Sequence, residues 1–162
     1  MDFLWSPWRF RYVSEEMGSG TCFLCQAVQA GLDGDRTHRV LHRGRKNLVI
    51  LNLFPYTTGH TMIAPFAHVA DLAALDRETA GEMMELAQRV QAALKECYRP
   101  EGYNLGMNLG RCAGAGLKDH IHLHVLPRWT GDASFMTAVG ETRVLPEDLD
   151  STYDKLLRFF PK

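Results

Sequence analysis

The sequence predicts an α+β fold: a mostly antiparallel sheet of about five strands with one long helix and shorter flanking helices. Three observations carry that prediction. Apolar residues form short alternating or continuous blocks at five places, each bounded by Gly, Pro, Asn or Asp. Between Asp76 and Tyr98 the apolar spacing changes to three and four. The first two blocks are joined by the turn-like Arg43-Gly44-Arg45-Lys46, which makes them a hairpin.

Gly18-Ser19-Gly20 is a break, after which Thr21-Cys22-Phe23-Leu24-Cys25 is expected as a tight turn leading into a short helix over 26–30. Strands are predicted over 38–42 and 47–52, with a third over 60–64 stopped by Pro65. His68 falls just past that stop. Asp76 is the expected N-cap of the long helix, whose Met83, Leu86, Val90, Ala93 and Cys97 form one stripe. Met83 and Met84 read as core or interface filler, and Cys97 as a core thiol. A fourth strand is expected over 103–109. The fifth is Asp119-His120-Ile121-His122-Leu123-His124-Val125-Leu126-Pro127-Arg128, and a last helix over 146–160 follows an irregular segment.

At 162 residues the chain suits one domain, with an N-terminal arm over 1–20 and a C-terminal tail over 130–162. The arm, Leu4-Trp5-Ser6-Pro7-Trp8-Arg9-Phe10-Arg11-Tyr12, is expected to pack on the body. Its alternative use is stacking on bases. A net charge of -1 disfavours binding of nucleic acid through bulk charge. No apolar run is long enough to span a membrane, and the start lacks a signal peptide's pattern, so the cytoplasm is the expected location. Four cysteines, two of them in Cys22-x-x-Cys25, point to metal ligation or redox chemistry rather than a disulfide framework.

Side chains of a strand alternate in direction, so His120, His122 and His124 are expected on one face, neighbours about 7 Å apart from a rise of ~3.3 Å per residue. Three imidazoles in register admit two chemistries. One is a hydrolytic metal site centred on His122. The other is attack on phosphorus by a neutral imidazole, forming a covalent intermediate. The loop Gly110-Arg111-Cys112-Ala113-Gly114-Ala115-Gly116 favours the second, since small residues let backbone N–H groups approach an anion. Cys112 in that loop reads as packing and as a site open to oxidation.

These residues together resemble the histidine-triad family of nucleotide hydrolases and transferases. The resemblance rests on three alternating histidines each followed by an apolar residue, on Leu126-Pro127-Arg128, on Gly59-His60 upstream, and on Asn108 before the glycine loop. It covers roughly residues 21–130. The segments Leu4–Arg9 and Asn108–Trp129 are similar to a bacterial branch related to diadenosine tetraphosphate phosphorylases.

The resemblance implies that His122 is the nucleophile, attacking the α-phosphorus of an adenine nucleotide substrate. It implies that Asn52 contacts ribose, and that His60, His124, Asn108 and the Gly114-Ala115-Gly116 backbone contact phosphate. Gly116-Leu117 stands where many relatives carry glutamine. Cys22, Cys25, His68 and His120 match a structural zinc site, two sulfurs and two nitrogens with no open position. A homodimer built across the long helix and the sheet is the implied assembly. Phosphorolysis of diadenosine polyphosphates is the leading activity; hydrolysis, phosphoramidate cleavage and nucleotide binding without turnover are its alternatives.

Overall fold

The computed structural model describes residues 22–140 and 144–161, so the expected N-terminal arm lies outside the described residues. The chain opens with α1 (Phe23–Gln29), a 3-10 turn (Leu32–Gly34) and α2 (Asp35–His38). Then come β1 (Val40–Arg43), β2 (Asn47–Leu51), β3 (Thr61–Pro65), the long α3 (Arg77–Tyr98) and β4 (Gly102–Gly106). β5 (Leu123–Arg128), α4 (Phe135–Ala138) and α5 (Leu149–Leu157) complete the order. The strands form one five-stranded sheet in the order β1-β2-β3-β5-β4, antiparallel at every pairing.

Two apolar layers flank this sheet. On one face Val49, Leu51, Ile63, Leu123 and Val125 pack against Met83, Leu86, Val90 and Leu94 of α3 and Tyr153 and Leu156 of α5. On the other, Leu48, Ile50, Met62 and Ala64 pack against Leu24 and Ala27 of α1. Burial on both faces explains why β2 reads as a continuous apolar run rather than an alternation. Each fully buried Leu or Ile contributes about 1.5–3 kcal/mol relative to exposure.

α3 starts where its sequence signal places it, because the Asp76 carboxylate accepts from the Thr79 N–H at 2.8 Å and from the Thr79 hydroxyl at 2.8 Å. It ends at Arg99, a non-glycine residue at φ 47°, ahead of Pro100. Met83 is buried in the core, whereas Met84 is exposed and Cys97 only borders the core. α5 spans less than the expected 146–160, since Asp148 caps it by accepting from Ser151 N at 2.8 Å.

The hairpin is held by a residue from another element. Glu82 of α3 is buried, and its carboxylate accepts from the backbone N–H groups of Arg45, Lys46 and Asn47 at 2.7, 2.8 and 2.9 Å, and from Asn47 Nδ2 at 2.8 Å. Desolvation opposes its charge, but these donors outweigh it and bring the carboxyl down to about 2.

Several other boundaries differ from the sequence expectation; α1 already begins at Phe23, inside the segment expected as a tight turn. Residue 38 closes α2 instead of starting β1, because Arg39 turns the chain at φ 56°. β3 includes Pro65, which pairs with Asn47 of β2 after the β5 ladder has ended at Ile63 and Leu123. β4 stops at Gly106 rather than 109. The fifth strand begins only at Leu123: the Ile121 N–H donates to Val69 O at 2.7 Å, so His120, Ile121 and His122 run in irregular backbone ahead of β5.

Candidate active site and metal centre

The β3–β5 register places His124 opposite Met62, on the sheet face away from α3. His60, one residue before β3, reaches the same face. Its Nε2 lies 2.9 Å from His124 Nδ1, with ring centroids 5.0 Å apart. His122 stands edge-on to His124, centroids 4.8 Å apart and planes at 74°. The rings thus lie closer together than the about 7 Å repeat of alternate residues along a strand. All three rings are buried.

Hydrogen-bond partners fix which nitrogens carry protons. The Tyr56 N–H donates to His60 Nδ1 at 3.1 Å, so the His60 proton sits on Nε2 and is donated to His124 Nδ1. His124 then carries its proton on Nε2. Separately, His122 Nδ1 donates to the His120 carbonyl at 2.9 Å, which leaves the lone pair on Nε2. Burial lowers the affinity of His122 for protons, partly offset by that carbonyl. Burial, with the neighbouring His122, pushes His124 down to about 4. Both rings are neutral near pH 7, one presenting a lone pair and the other an N–H.

His120 belongs to a different group. With Cys22, Cys25 and His68 it forms a cluster whose ligand atoms all lie within 4.8 Å of one another. Cys22 Sγ is 3.3 Å and Cys25 Sγ 3.6 Å from His120 Nδ1, and Cys25 Sγ is 3.1 Å from His68 Nδ1. A tetrahedral ion bound by sulfur and nitrogen has ligand-to-ligand edges of about 3.3–3.8 Å, so the donors are placed to bind a metal. His120 Nε2 donates to Pro65 O at 2.9 Å, which directs the Nδ1 lone pair at the sulfurs. Burial pushes the Cys22 thiol up to about 11, a direction that a cation between the sulfurs reverses.

Cys22 is the N-cap of α1 and Cys25 lies in its first turn; the other end of α1 is anchored by Arg43, whose guanidinium reaches Ala27 O at 2.6 Å, Gly31 O at 2.9 Å and Asp35 Oδ1 at 2.8 Å.

Asn52 leaves β2 beside the histidines: its Nδ2 lies 3.3 Å from His60 Nδ1 and its Oδ1 accepts from Phe54 N at 2.9 Å. Gly106, the last residue of β4, lies opposite His124, so Asn108 follows two residues past the level of the cluster. In the glycine loop, Gly114 N donates to Arg111 O at 3.0 Å and Ala115 N to Gly110 O at 3.4 Å. Two of the three amides expected to meet phosphate are thus turned into the loop. The weak Ala115 bond has to open, or Gly116 has to serve, for that cradle to form.

Tyr56 is the site residue that the sequence reading missed. Its ring lies 4.7 Å from His60 and 6.0 Å from His124, stacked on the latter. An aromatic residue in a Pro-flanked loop four positions before His60 carries no distinctive signal on its own.

The chain matches the family model described as the HIT domain over residues 34–131. It is 36% identical over 154 residues to a Mycobacterium tuberculosis protein named AP-4-A phosphorylase, covering 92% of this chain and 79% of that one. It is 28% identical to the adenosine 5′-monophosphoramidase of Schizosaccharomyces pombe, covering 81% and 97%. Among solved structures, a zinc-bound histidine triad family protein from Mycobacterium smegmatis superposes with a TM-score of 0.68 at 33% identity, covering 88% of this chain and 94% of that one.

Proposed function

The chain belongs to the histidine-triad (HIT) family, and from that premise we propose that it cleaves dinucleoside polyphosphates through a covalent nucleotidyl-His122, with diadenosine tetraphosphate and inorganic phosphate as the substrates. The observation that carries this reading is the bond from His122 Nδ1 to His120 O, which leaves Nε2 as a neutral nucleophile. Similarity to the M. tuberculosis protein over 92% of the chain supports the choice of substrate.

In the first step His122 Nε2 forms a bond to the α-phosphorus and the bond from phosphorus to the bridging oxygen breaks, releasing ATP. In the second, an oxygen of inorganic phosphate attacks the same phosphorus, the P–N bond breaks and ADP departs. His124 Nε2–H is oriented to stabilise charge on the phosphoryl or departing oxygen, and His60 holds His124 in that tautomer. Asn52 is assigned to ribose, and Asn108 with the Gly114-Ala115-Gly116 loop to phosphate oxygens.

The ion we assign to Cys22, Cys25, His68 and His120 is zinc, one per chain. Four protein ligands close its coordination, so it would tie α1 to the segment before β5 rather than act on substrate. Among the described residues no helix is long and apolar enough to cross a membrane. The homodimer assigned from the family finds a candidate surface at the sheet edge, where Leu105 of β4 and the nearby Leu109 are exposed; sedimentation at two protein concentrations tests it.

Purified protein given diadenosine tetraphosphate with inorganic phosphate should yield ADP plus ATP. AMP plus ATP would make it a hydrolase. Cleavage of adenosine phosphoramidate alone would favour the second reading, which the similarity to the S. pombe protein supports. No turnover of any of these would leave a zinc-ordered nucleotide-binding module.

A further inference from the structure

A cleft of about 780 Å³ opens next to the histidine cluster, with Tyr56 as their common wall. The ring of Tyr56 stacks on His124, which in turn touches His122, so the cleft begins two ring contacts, of 6.0 and 4.8 Å, from the proposed nucleophile. Its other walls come from the end of α3, the turn after β5 and the start of α5. Nothing in the reaction as assigned so far uses this space.

The chemistry of its walls selects the occupant. Its acidic and lysine side chains are engaged with neighbours: Asp132 binds Arg128 through two contacts of 2.6 and 2.9 Å, Glu147 pairs with Lys155 and accepts from Tyr98 at 2.6 Å, and Asp148 caps α5. Among the described residues that line it, phosphate therefore finds no uncommitted cation, and a metal ion no uncommitted carboxylate. What the walls offer instead is aromatic surface, from half-buried Trp129 and from Tyr56, and hydroxyl groups such as that of Ser134 on the exposed rim. A pocket of this size takes a small molecule, and flat rings plus hydroxyls suit an uncharged, planar, hydroxylated one.

We propose that the cleft binds the second nucleoside of a dinucleoside polyphosphate, the one that departs with the leaving polyphosphate; this rests on the reading of His122 as nucleophile. One nucleoside lies by Asn52, the polyphosphate crosses the histidines, and the second base stacks on Trp129. Such a subsite makes two-headed substrates better than single nucleotides with the same scissile bond.

Adenosine and two polyphosphates are the probes. By equilibrium dialysis, the full-length protein should bind two adenosines per chain, and Trp129→Leu or Ser134→Trp should bind one, with circular dichroism confirming that each variant is folded. Both variants should raise KM for diadenosine tetraphosphate about tenfold or more while changing KM for adenosine 5′-tetraphosphate less than about twofold. One adenosine per chain in the unmodified protein, or an equal rise in KM for both polyphosphates, overturns the proposal. If diadenosine tetraphosphate is not cleaved at all, the assigned reaction fails, and the adenosine stoichiometry still decides the cleft.

Discussion

His60 Nε2 lies 2.9 Å from His124 Nδ1, and the proton runs from His60 to His124 because His60 Nδ1 already accepts from the Tyr56 N–H. His60→Ala removes the donor that fixes the His124 tautomer. We expect kcat to fall about 10- to 100-fold with a smaller change in KM, since the interaction strengthens as charge develops. His60→Gln, which retains an amide N–H, should recover part of the loss. Steady-state kinetics on both variants check this, and equal kcat in all three proteins would rule it out.

His124 also sets a pH dependence of stability. Burial first, and His122 second, hold its folded pKa at about 4, below the ordinary histidine value near 6.5. As pH falls, the unfolded chain takes up this proton before the folded chain does. Stability should therefore decline from about pH 6.5 and bottom out below about pH 4, by on the order of 3 kcal/mol from this group. Urea midpoints at pH 7 and 4.5 should converge for His124→Asn relative to the unmodified protein; parallel shifts would count against the assignment.

Glu82 acts in the same direction at lower pH, but here it is the charged form that the fold favours. Its folded pKa near 2 lies below the unfolded value, so its contribution is present above about pH 4.5 and is lost as pH falls through 2. Glu82→Ala leaves three backbone donors of the β1–β2 turn without their acceptor and should cost about 3–5 kcal/mol. The urea midpoint measures it, and a cost under about 1 kcal/mol would mean that the turn stands without Glu82.

Metal removal should loosen α1 from the segment before β5. Cys22→Ser, or a strong chelator, should abolish bound zinc and lower the melting temperature by roughly 2–8 °C, equivalent to about 1–2 kcal/mol for a domain of this size. His122→Ala should retain zinc in full. Elemental analysis with calorimetry on the three samples checks both statements, and a Cys22→Ser protein with full zinc content would refute the ligand set.

Much of this was legible in the chain because the signals are local. The α3 stripe and its Asp76 cap depend only on spacing, and the five apolar blocks became five strands. The histidine segment was legible in part: period two predicted one face for three rings, whereas tertiary bonds to Val69, Pro65 and the cysteines pull His120 and His122 out of the ladder. Glu82, Arg43 and Tyr56 were not legible in their roles, since each acts on residues brought near only by folding. A glutamate in the middle of a helix looks like any solvated charge until the hairpin turn is seen to lie on it.

The nucleophile is tested most directly by trapping. Protein mixed with diadenosine tetraphosphate in the absence of phosphate, quenched in alkali and digested, should show AMP bound to the peptide containing His122, and phosphate added before the quench should remove it as ADP. His122→Ala should give no adduct and no turnover while keeping its zinc. AMP attached to any other residue, or turnover by His122→Ala at the normal rate, would contradict the assignment of His122.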